Sequence, residues 1–250
     1  MVFPPIFVVN LRKNADRMES IRRQLDGLRL AYERFDAVYG RDLSCQERQE
    51  KFSSMRSRLA IGASMTDGEL GCALSHLGIY KKMLADGHDM AIILEDDVLL
   101  DASFPEALRR AVDFATAEQP QVILFSAYGE KKGVAHEAGV EKIAVGSCTD
   151  GYLVTRAAAK LISEVNLPVI VQADAWARWR RRYGLQLYRI YPTSVRQDND
   201  NFGTDIDGWT DSNRKVVGNG TGRTGLDLIA FRIRRVFEKS IDWTLWKLGL

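Results

Sequence analysis

A chain of 250 residues with 46% hydrophobic side chains and only 6 prolines has an ordinary globular composition, enough for a buried core in one large or two small domains. Its 35 basic and 33 acidic residues nearly cancel to a net charge of +2, so overall charge argues for no nucleic-acid partner. The three cysteines, Cys45, Cys72 and Cys148, are odd in number and lack metal-ligand spacing, which reads as free thiols in a reducing compartment rather than a disulfide framework.

The amino-terminal MVFPPIFVVN has no basic leader, and Pro4 and Pro5 interrupt its apolar run, so Ile6 to Val9 reads as a first core strand and not as a signal peptide. No stretch approaches the roughly 20 apolar residues of a spanning helix. The expected location is therefore cytoplasmic, either free or peripheral on the inner face of the inner membrane. From Asp16 to Leu28, apolar Met18, Ile21, Leu25 and Leu28 recur at steps of three and four, the pattern of an amphipathic helix. A strand over Tyr32 to Val38, closed by Gly40, completes a β-α-β opening, as in a parallel sheet.

Leu43 to Ser64 is polar and serine-rich, with Arg48, Lys51, Arg56 and Arg58 spread through it, and reads as a helix and a mobile loop. Thr66 with Glu69 three residues later forms a capping-box pattern, predicting a helix to about Asp86 that stops at Gly87. Met90 to Leu94 is continuously apolar, as in a strand buried on both faces. It delivers Glu95, Asp96 and Asp97 to its carboxyl end, the edge where open α/β sheets bind ligands. A helix over Phe104 to Ala117 and strands at Val122 to Ser126 and Gly151 to Thr155 continue the α/β pattern. Helices over Ala157 to Val165 and Ala173 to Tyr183 follow, the second carrying Trp176 and Trp179. Beyond Tyr191, Asp, Asn and Gly dominate as far as Gly225, which predicts loops. The chain thus divides into a domain over 1–225 and a basic amphipathic helix over 226–250.

Three adjacent carboxylates after an apolar strand repel one another at neutral pH unless a cation compensates. Mg²⁺ and Mn²⁺ prefer oxygen ligands and are often held by one or two carboxylates together with substrate phosphates. Asp97 is the first candidate ligand and Glu95 its partner or a ribose contact; a solvated acidic turn is the plainer alternative. Gly68, Gly71, Ser75, His76 and Gly78 weaken the helix after Thr66 by propensity, which implies that something approaches that face closely. His76 there suits packing, or a hydrogen bond that orients a carboxylate or a phosphate. Asp174 beside Trp176 is either a general base raised by desolvation or a helix cap. Asp150 and Gly151 read as a turn, and Gln197 with Asp198 as a metal or sugar contact or a plain loop. Arg178, Arg180, Arg181 and Arg182 around Trp179, and Arg232, Arg234, Arg235 and Lys239 in the terminal segment, fit an anionic bilayer or a phosphorylated lipid acceptor, or a helix packed on its own domain.

Several segments in order resemble glycosyltransferase family 25, which includes bacterial lipooligosaccharide galactosyltransferases and animal collagen galactosyltransferases. They are Val9-Asn10-Leu11 with Asp16-Arg17, Phe35 to Gly40, Thr66 to His76, Ile93 to Val98, Gly151 to Val154 with Ala158-Ala159, and Asp174 with Trp176. The resemblance covers about residues 6 to 200 and departs from the family where Ala175 splits the usual Asp-Trp pair. It implies a GT-A-like nucleotide-binding α/β domain with a mostly parallel central sheet, to which the residues themselves add a basic helical tail beyond the matched span. It also implies an inverting transfer of a hexose, galactose from UDP-galactose, to a lipopolysaccharide or lipooligosaccharide sugar on a lipid-linked acceptor. On that reading Mn²⁺ (or Mg²⁺) sits at Asp97, Glu95 and Gln197. Asn10, Arg17, Asp36, Ala37, Tyr39, Gly40, His76 and Asp96 hold the UDP-sugar, with Arg56 and Arg58 as a lid. Asp174 is the general base, and Glu95 belongs to the catalytic group. The leaderless start favours the cytosolic bacterial branch. Two other readings compete: a catalytically silent nucleotide-sugar-binding module, and a metal-dependent phosphohydrolase.

Overall fold

A computed structural model describes residues 3–62, 64–127 and 136–202. The terminal helix expected over 226–250 and the boundary at 225 lie outside them. Among the described residues the chain alternates strands and helices: β1 (Ile6–Asn10), α1 (Ala15–Gly27), β2 (Glu33–Asp36), a 3₁₀ turn at Gly40–Asp42, α2 (Cys45–Lys51), α3 (Ser54–Ile61), α4 (Asp67–Ala85) and β3 (Met90–Glu95). Then come β4 (Val98–Leu100), α5 (Phe104–Phe114), β5 (Gln121–Leu124), β6 (Gly139–Lys142), β7 (Gly151–Thr155), α6 (Arg156–Val165), α7 (Trp176–Tyr183), β8 (Gln186–Tyr191) and β9 (Val195–Gln197).

Seven strands form one sheet in the order β2-β1-β3-β7-β5-β8-β6, and β4 pairs with β9 in a small antiparallel ribbon. Strands β2, β1, β3, β5 and β8 share one direction, while β7 and β6 run against them, so the sheet is mostly parallel as expected. The continuous apolar runs explain the layering. Phe7, Ile93, Val122 and Tyr152 face a core shared with α4, α6 and α7. Ile6, Val8, Ile92, Leu94 and Leu153 face the opposite core, shared with α1 and α5. Because β7 is reversed, its first residue sits at the same edge as the last residues of β1 and β3, with Gly151 registered against Leu94.

The glycine-rich helix α4 is set by two local rules. Its N-terminus carries the expected capping box: Glu69 N–H donates to Thr66 Oγ1 at 3.2 Å, and Thr66 N–H donates to Glu69 Oε2 at 2.8 Å. Its glycines let the chain's own backbone approach. A Cβ on Gly71 would lie 2.5 Å from the Val38 carbonyl oxygen, and one on Gly40 would lie 1.9 Å from the Asp67 carbonyl oxygen. Ser75 completes the seam, its Oγ accepting the Val38 N–H at 2.8 Å. The close neighbour implied by the sequence is thus the turn after β2.

Three expectations are corrected. The stretch read as one helix and a mobile loop is two short helices, α2 and α3. Helix α7 begins at Trp176 rather than Ala173. The segment after Tyr191 is not all loop, because β9 pairs with β4 within it. Strands β4 and β6 carry no strong period in sequence.

Candidate active site

The edge where β1 and β3 end and β7 begins collects most of the carboxylates singled out above. Successive side chains of a strand point to opposite faces, so Glu95 turns toward α4 while Asp96, at the turn into β4, turns toward α1. Buried Asp96 accepts Asn10 Nδ2–H on Oδ2 at 2.6 Å, and Arg17 Nη1 approaches its Oδ1 at 3.4 Å. Burial pushes the Asp96 carboxyl above its ordinary pKa, opposed by Asn10 and Arg17. Asn10 is itself held, because Arg34 Nε donates to its Oδ1 at 2.8 Å.

Asp97 is the most frustrated group of the edge. Burial, followed by the charge of Glu95, pushes its carboxyl up to about 7, although Arg17 Nη1 stands 3.5 Å from Oδ2. Its Oδ1 is buried with no hydrogen-bond partner among the described residues. The β4–β9 ribbon places Gln197 opposite Val98, and Asp198 N–H donates to the Asp97 carbonyl at 2.7 Å, so the predicted Gln197 does lie beside Asp97 in the fold. A plain solvated acidic turn does not describe these contacts.

Glu95 sits in a different environment. Thr149 Oγ1 donates to Glu95 Oε1, and buried His76 places Nε2 3.6 Å from the same oxygen. Burial acts to raise the Glu95 pKa, but His76, Thr149 and Arg17 outweigh it and hold the carboxyl below its ordinary value. His76 Nδ1 meets the Tyr152 hydroxyl at 2.6 Å, which in turn meets the Tyr80 hydroxyl at 2.7 Å. Cys72, one helical turn before His76, brings its Sγ to 3.9 Å from Thr149 Oγ1. Donor atoms of Cys72, His76 and Glu95 all fall within 4.8 Å of one another. Burial drives the Cys72 thiol well above its ordinary pKa, away from the thiolate that ligates metals, and Thr149 already occupies Glu95 Oε1. The oxygen-rich surroundings of Asp97 are the better fit for a hard cation.

Asp174 does not cap α7; Ala175 holds that position without a side-chain cap. Instead Asp174 Oδ2 accepts the Cys148 N–H at 3.2 Å, while Trp176 Nε1–H donates to the Cys148 carbonyl at 3.0 Å. Both clamp the loop before β7, where Cys148 adopts a left-handed φ of 66°. Burial, then the charges of Asp150, Asp174, Glu95 and Asp97, raises the Cys148 thiol pKa, so these four carboxylates share one electrostatic neighbourhood.

The other predicted donor-binding residues are placed as follows. Exposed Asp36 is paired with Arg12 at 2.6 Å and Arg34 at 2.7 Å. Ala37 N–H donates to the Asn10 carbonyl at 3.0 Å, Lys13 Nζ lies 4.5 Å from the centre of the Tyr39 ring, and Gly40 is buried against α4. These residues flank the end of β1. Arg56 stands exposed on α3 and makes no hydrogen bond or ion pair among the described residues, so the structure does not bring it to the acidic edge.

Sequence reasoning missed Thr149 and Tyr152 and read Asp150 as a turn. Asp150 is buried, accepts Ser126 Oγ–H at 2.8 Å, and is pushed up to about 7 by burial. The available signal was position: a carboxylate directly before a fully apolar strand that returns to the β3 edge. The reversal of β7 was the missing fact.

The family model described as glycosyltransferase family 25 (LPS biosynthesis protein) matches residues 3–176. Procollagen galactosyltransferase 1-A of Xenopus laevis is 29% identical over 187 residues, covering 70% of this chain and 30% of that protein. A glycosyltransferase 25 family member of Aedes aegypti is 30% identical over 185 residues, covering 68% of this chain and 30% of that one. A Bos taurus protein named probable inactive glycosyltransferase 25 family member 3 is 28% identical over 130 residues, 48% of this chain and 20% of its own. The alignments to the first two span 30% of those relatives' length. Among solved structures, the galactosyltransferase LgtC in complex with donor and acceptor sugar analogs aligns over 90% of this chain and 99% of that one, with a TM-score of 0.36 and 10% identity. The span matched by the family model contains every carboxylate of the edge except Asp198, and the chain belongs to glycosyltransferase family 25.

Proposed function

We propose that the chain is a metal-dependent, inverting glycosyltransferase that moves galactose from UDP-galactose to a lipid-linked lipopolysaccharide or lipooligosaccharide sugar. The observation that carries this reading is Asp97: a half-buried carboxylate with a pKa raised to about 7 and one buried oxygen that has no hydrogen-bond partner among the described residues, at the ligand-binding edge of an α/β sheet. Such a group is completed by a hard cation, and Asp97 with Gln197 would hold it. The chemistry that Mn²⁺ or Mg²⁺ supplies when bound there is stabilisation of negative charge on a departing diphosphate.

The chain's own residues do the rest. Asn10, Arg17, Asp96 and the turn of Asp36, Ala37, Tyr39 and Gly40 line the nucleotide. Glu95, with 23% of its side chain exposed, accepts a hydroxyl of the donor, and His76 orients it. Asp174 accepts the proton of the attacking acceptor hydroxyl. Exposed Arg181 and Arg182 on α7 suit an anionic lipid surface, as do the basic residues of 232–239 in sequence, which supports a peripheral cytoplasmic location. No helix of the described residues is long and apolar enough to cross a membrane.

The test is a panel of UDP-sugars offered with truncated lipooligosaccharide, with and without Mn²⁺. Release of UDP from UDP-galactose that needs the metal, matched by a hexose mass gain on the acceptor, is the expected result. Release of phosphate from a phosphoester without sugar transfer would replace the reading with a phosphohydrolase. A second reading, a silent nucleotide-sugar-binding module, is favoured by one observation: the Asp174 carboxylate is already bonded to Cys148 N–H. It predicts UDP binding without turnover on any donor.

A further inference from the structure

Tyr80, Tyr152 and His76 form a buried line that ends at Glu95, and proton counting gives that line a direction. The Tyr80 hydroxyl has Tyr152 as its hydrogen-bond partner among the described residues. If Tyr80 O–H donates to Tyr152, then Tyr152 O–H is free to donate to His76 Nδ1, and the ring carries its proton on Nε2, facing Glu95 Oε1 at 3.6 Å. The opposite order fails twice. A proton on Nδ1 makes Tyr152 an acceptor there, and one of the two phenol O–H groups is then left without an acceptor in a fully buried site. It also sets the Nε2 lone pair against a carboxylate oxygen. Among the described residues Nε2 lacks a partner within hydrogen-bond distance, and a few tenths of an ångström separate it from one with Glu95, a gap typical of sites that tighten when substrate binds.

We infer that Tyr152 and His76 form a one-way hydrogen-bond relay that presents one N–H to Glu95, making Tyr152 a positioning residue for donor binding, with Tyr80 a neighbour outside the relay. The functional half of this inference rests on the proposed role of Glu95, whereas the tautomer does not. Tyr152 controls the ring because its hydroxyl is what keeps Nδ1 an acceptor. Tyr80 is one step removed: without it, Tyr152 O–H still donates to His76. Trp176, packed edge-on against the Tyr152 ring at 5.1 Å between centroids, fixes the position of the phenol.

The test begins with ¹⁵N NMR of the histidine rings in the metal-free wild-type chain. It has only three histidines, and His88→Gln and His136→Gln assign the signal of His76. The expected result is a neutral ring protonated on Nε2. A ring protonated on Nδ1, or an imidazolium, overturns the inference whether or not the protein transfers sugar. Tyr152→Phe is expected to give mixed tautomers and to raise KM for the UDP-sugar about fivefold with kcat within twofold. Tyr80→Phe removes a hydroxyl from the same buried line and is expected to leave both tautomer and KM unchanged. Equal changes in the two variants would mean that the line is only structural. If the tautomer behaves as expected while no UDP-sugar is used, it is the proposed function that fails.

Discussion

Replacing Asp97 with Asn is expected to lower metal-dependent UDP release by a factor on the order of 10² or more, while making the metal-free protein more stable at pH 8. Both effects come from the same carboxylate. Its folded pKa is raised from 3.8 to about 7, by burial first and by Glu95 second. A group with a raised folded pKa gives stability that is fully present below the unfolded value and is lost as pH rises through the folded value. The metal-free chain should therefore lose stability between about pH 4 and pH 7, on the order of 4 kcal/mol from this residue. Asn keeps the shape without the charge and removes that loss. Urea titrations in EDTA should place the variant above wild type at pH 8, with the gap closing toward pH 4. The same proton competes with a cation, so metal affinity in the wild type should climb as pH rises through 7. A variant that melts like wild type at every pH and retains full activity would remove Asp97 from the site.

Gly71→Ala and Gly40→Ala are each expected to destabilise the fold by at least ~3 kcal/mol, a large share of the total stability of a typical domain. An added Cβ at Gly71 meets the Val38 carbonyl at 2.5 Å and the Gly40 nitrogen at 2.8 Å. These are backbone atoms of a turn held by Ala37 N–H to the Asn10 carbonyl and by Val38 N–H to Ser75, so relief requires separating α4 from the turn. Gly78→Ala makes the control. Its Cβ meets the Phe35 ring at 2.7 Å, and a side chain can turn where a backbone cannot, so a smaller cost is expected. Chemical denaturation compares the three. Because the same turn is proposed to line the nucleotide, the folded fraction of either severe variant should also bind UDP more weakly. Near-wild-type stability in Gly71→Ala would show that the seam yields easily.

What was legible in the sequence was what short-range physics encodes. The Thr66 and Glu69 pair set the start of α4 because capping is decided within one turn. Apolar Met90 to Leu94 set β3 and placed Glu95, Asp96 and Asp97 at its end. Helix α1 followed from the spacing of Ile21 and Leu25, both fully buried. What was not legible depended on pairing. Nothing local tells that β7 runs antiparallel between β3 and β5, and that reversal brings Thr149, Asp150 and Tyr152 to the site. The short β4–β9 ribbon, which sets Gln197 beside the acidic turn, joins residues almost 100 positions apart. Asp174 looked like a helix cap because Asp favours such positions, but the helix starts later and its carboxylate serves the Cys148 loop instead. Arg56 was placed by charge alone, and charge alone does not say which way a surface helix faces.

On the proposed function, this sheet edge binds a nucleotide diphosphate through a cation held by Asp97. Calorimetric titration of UDP into the wild-type chain, with Mn²⁺ and then with EDTA, tests it most directly when repeated on Asp97→Asn. Binding that requires Mn²⁺ and is lost in the variant is the predicted result. Equal binding with and without the metal, or in both proteins, would contradict it.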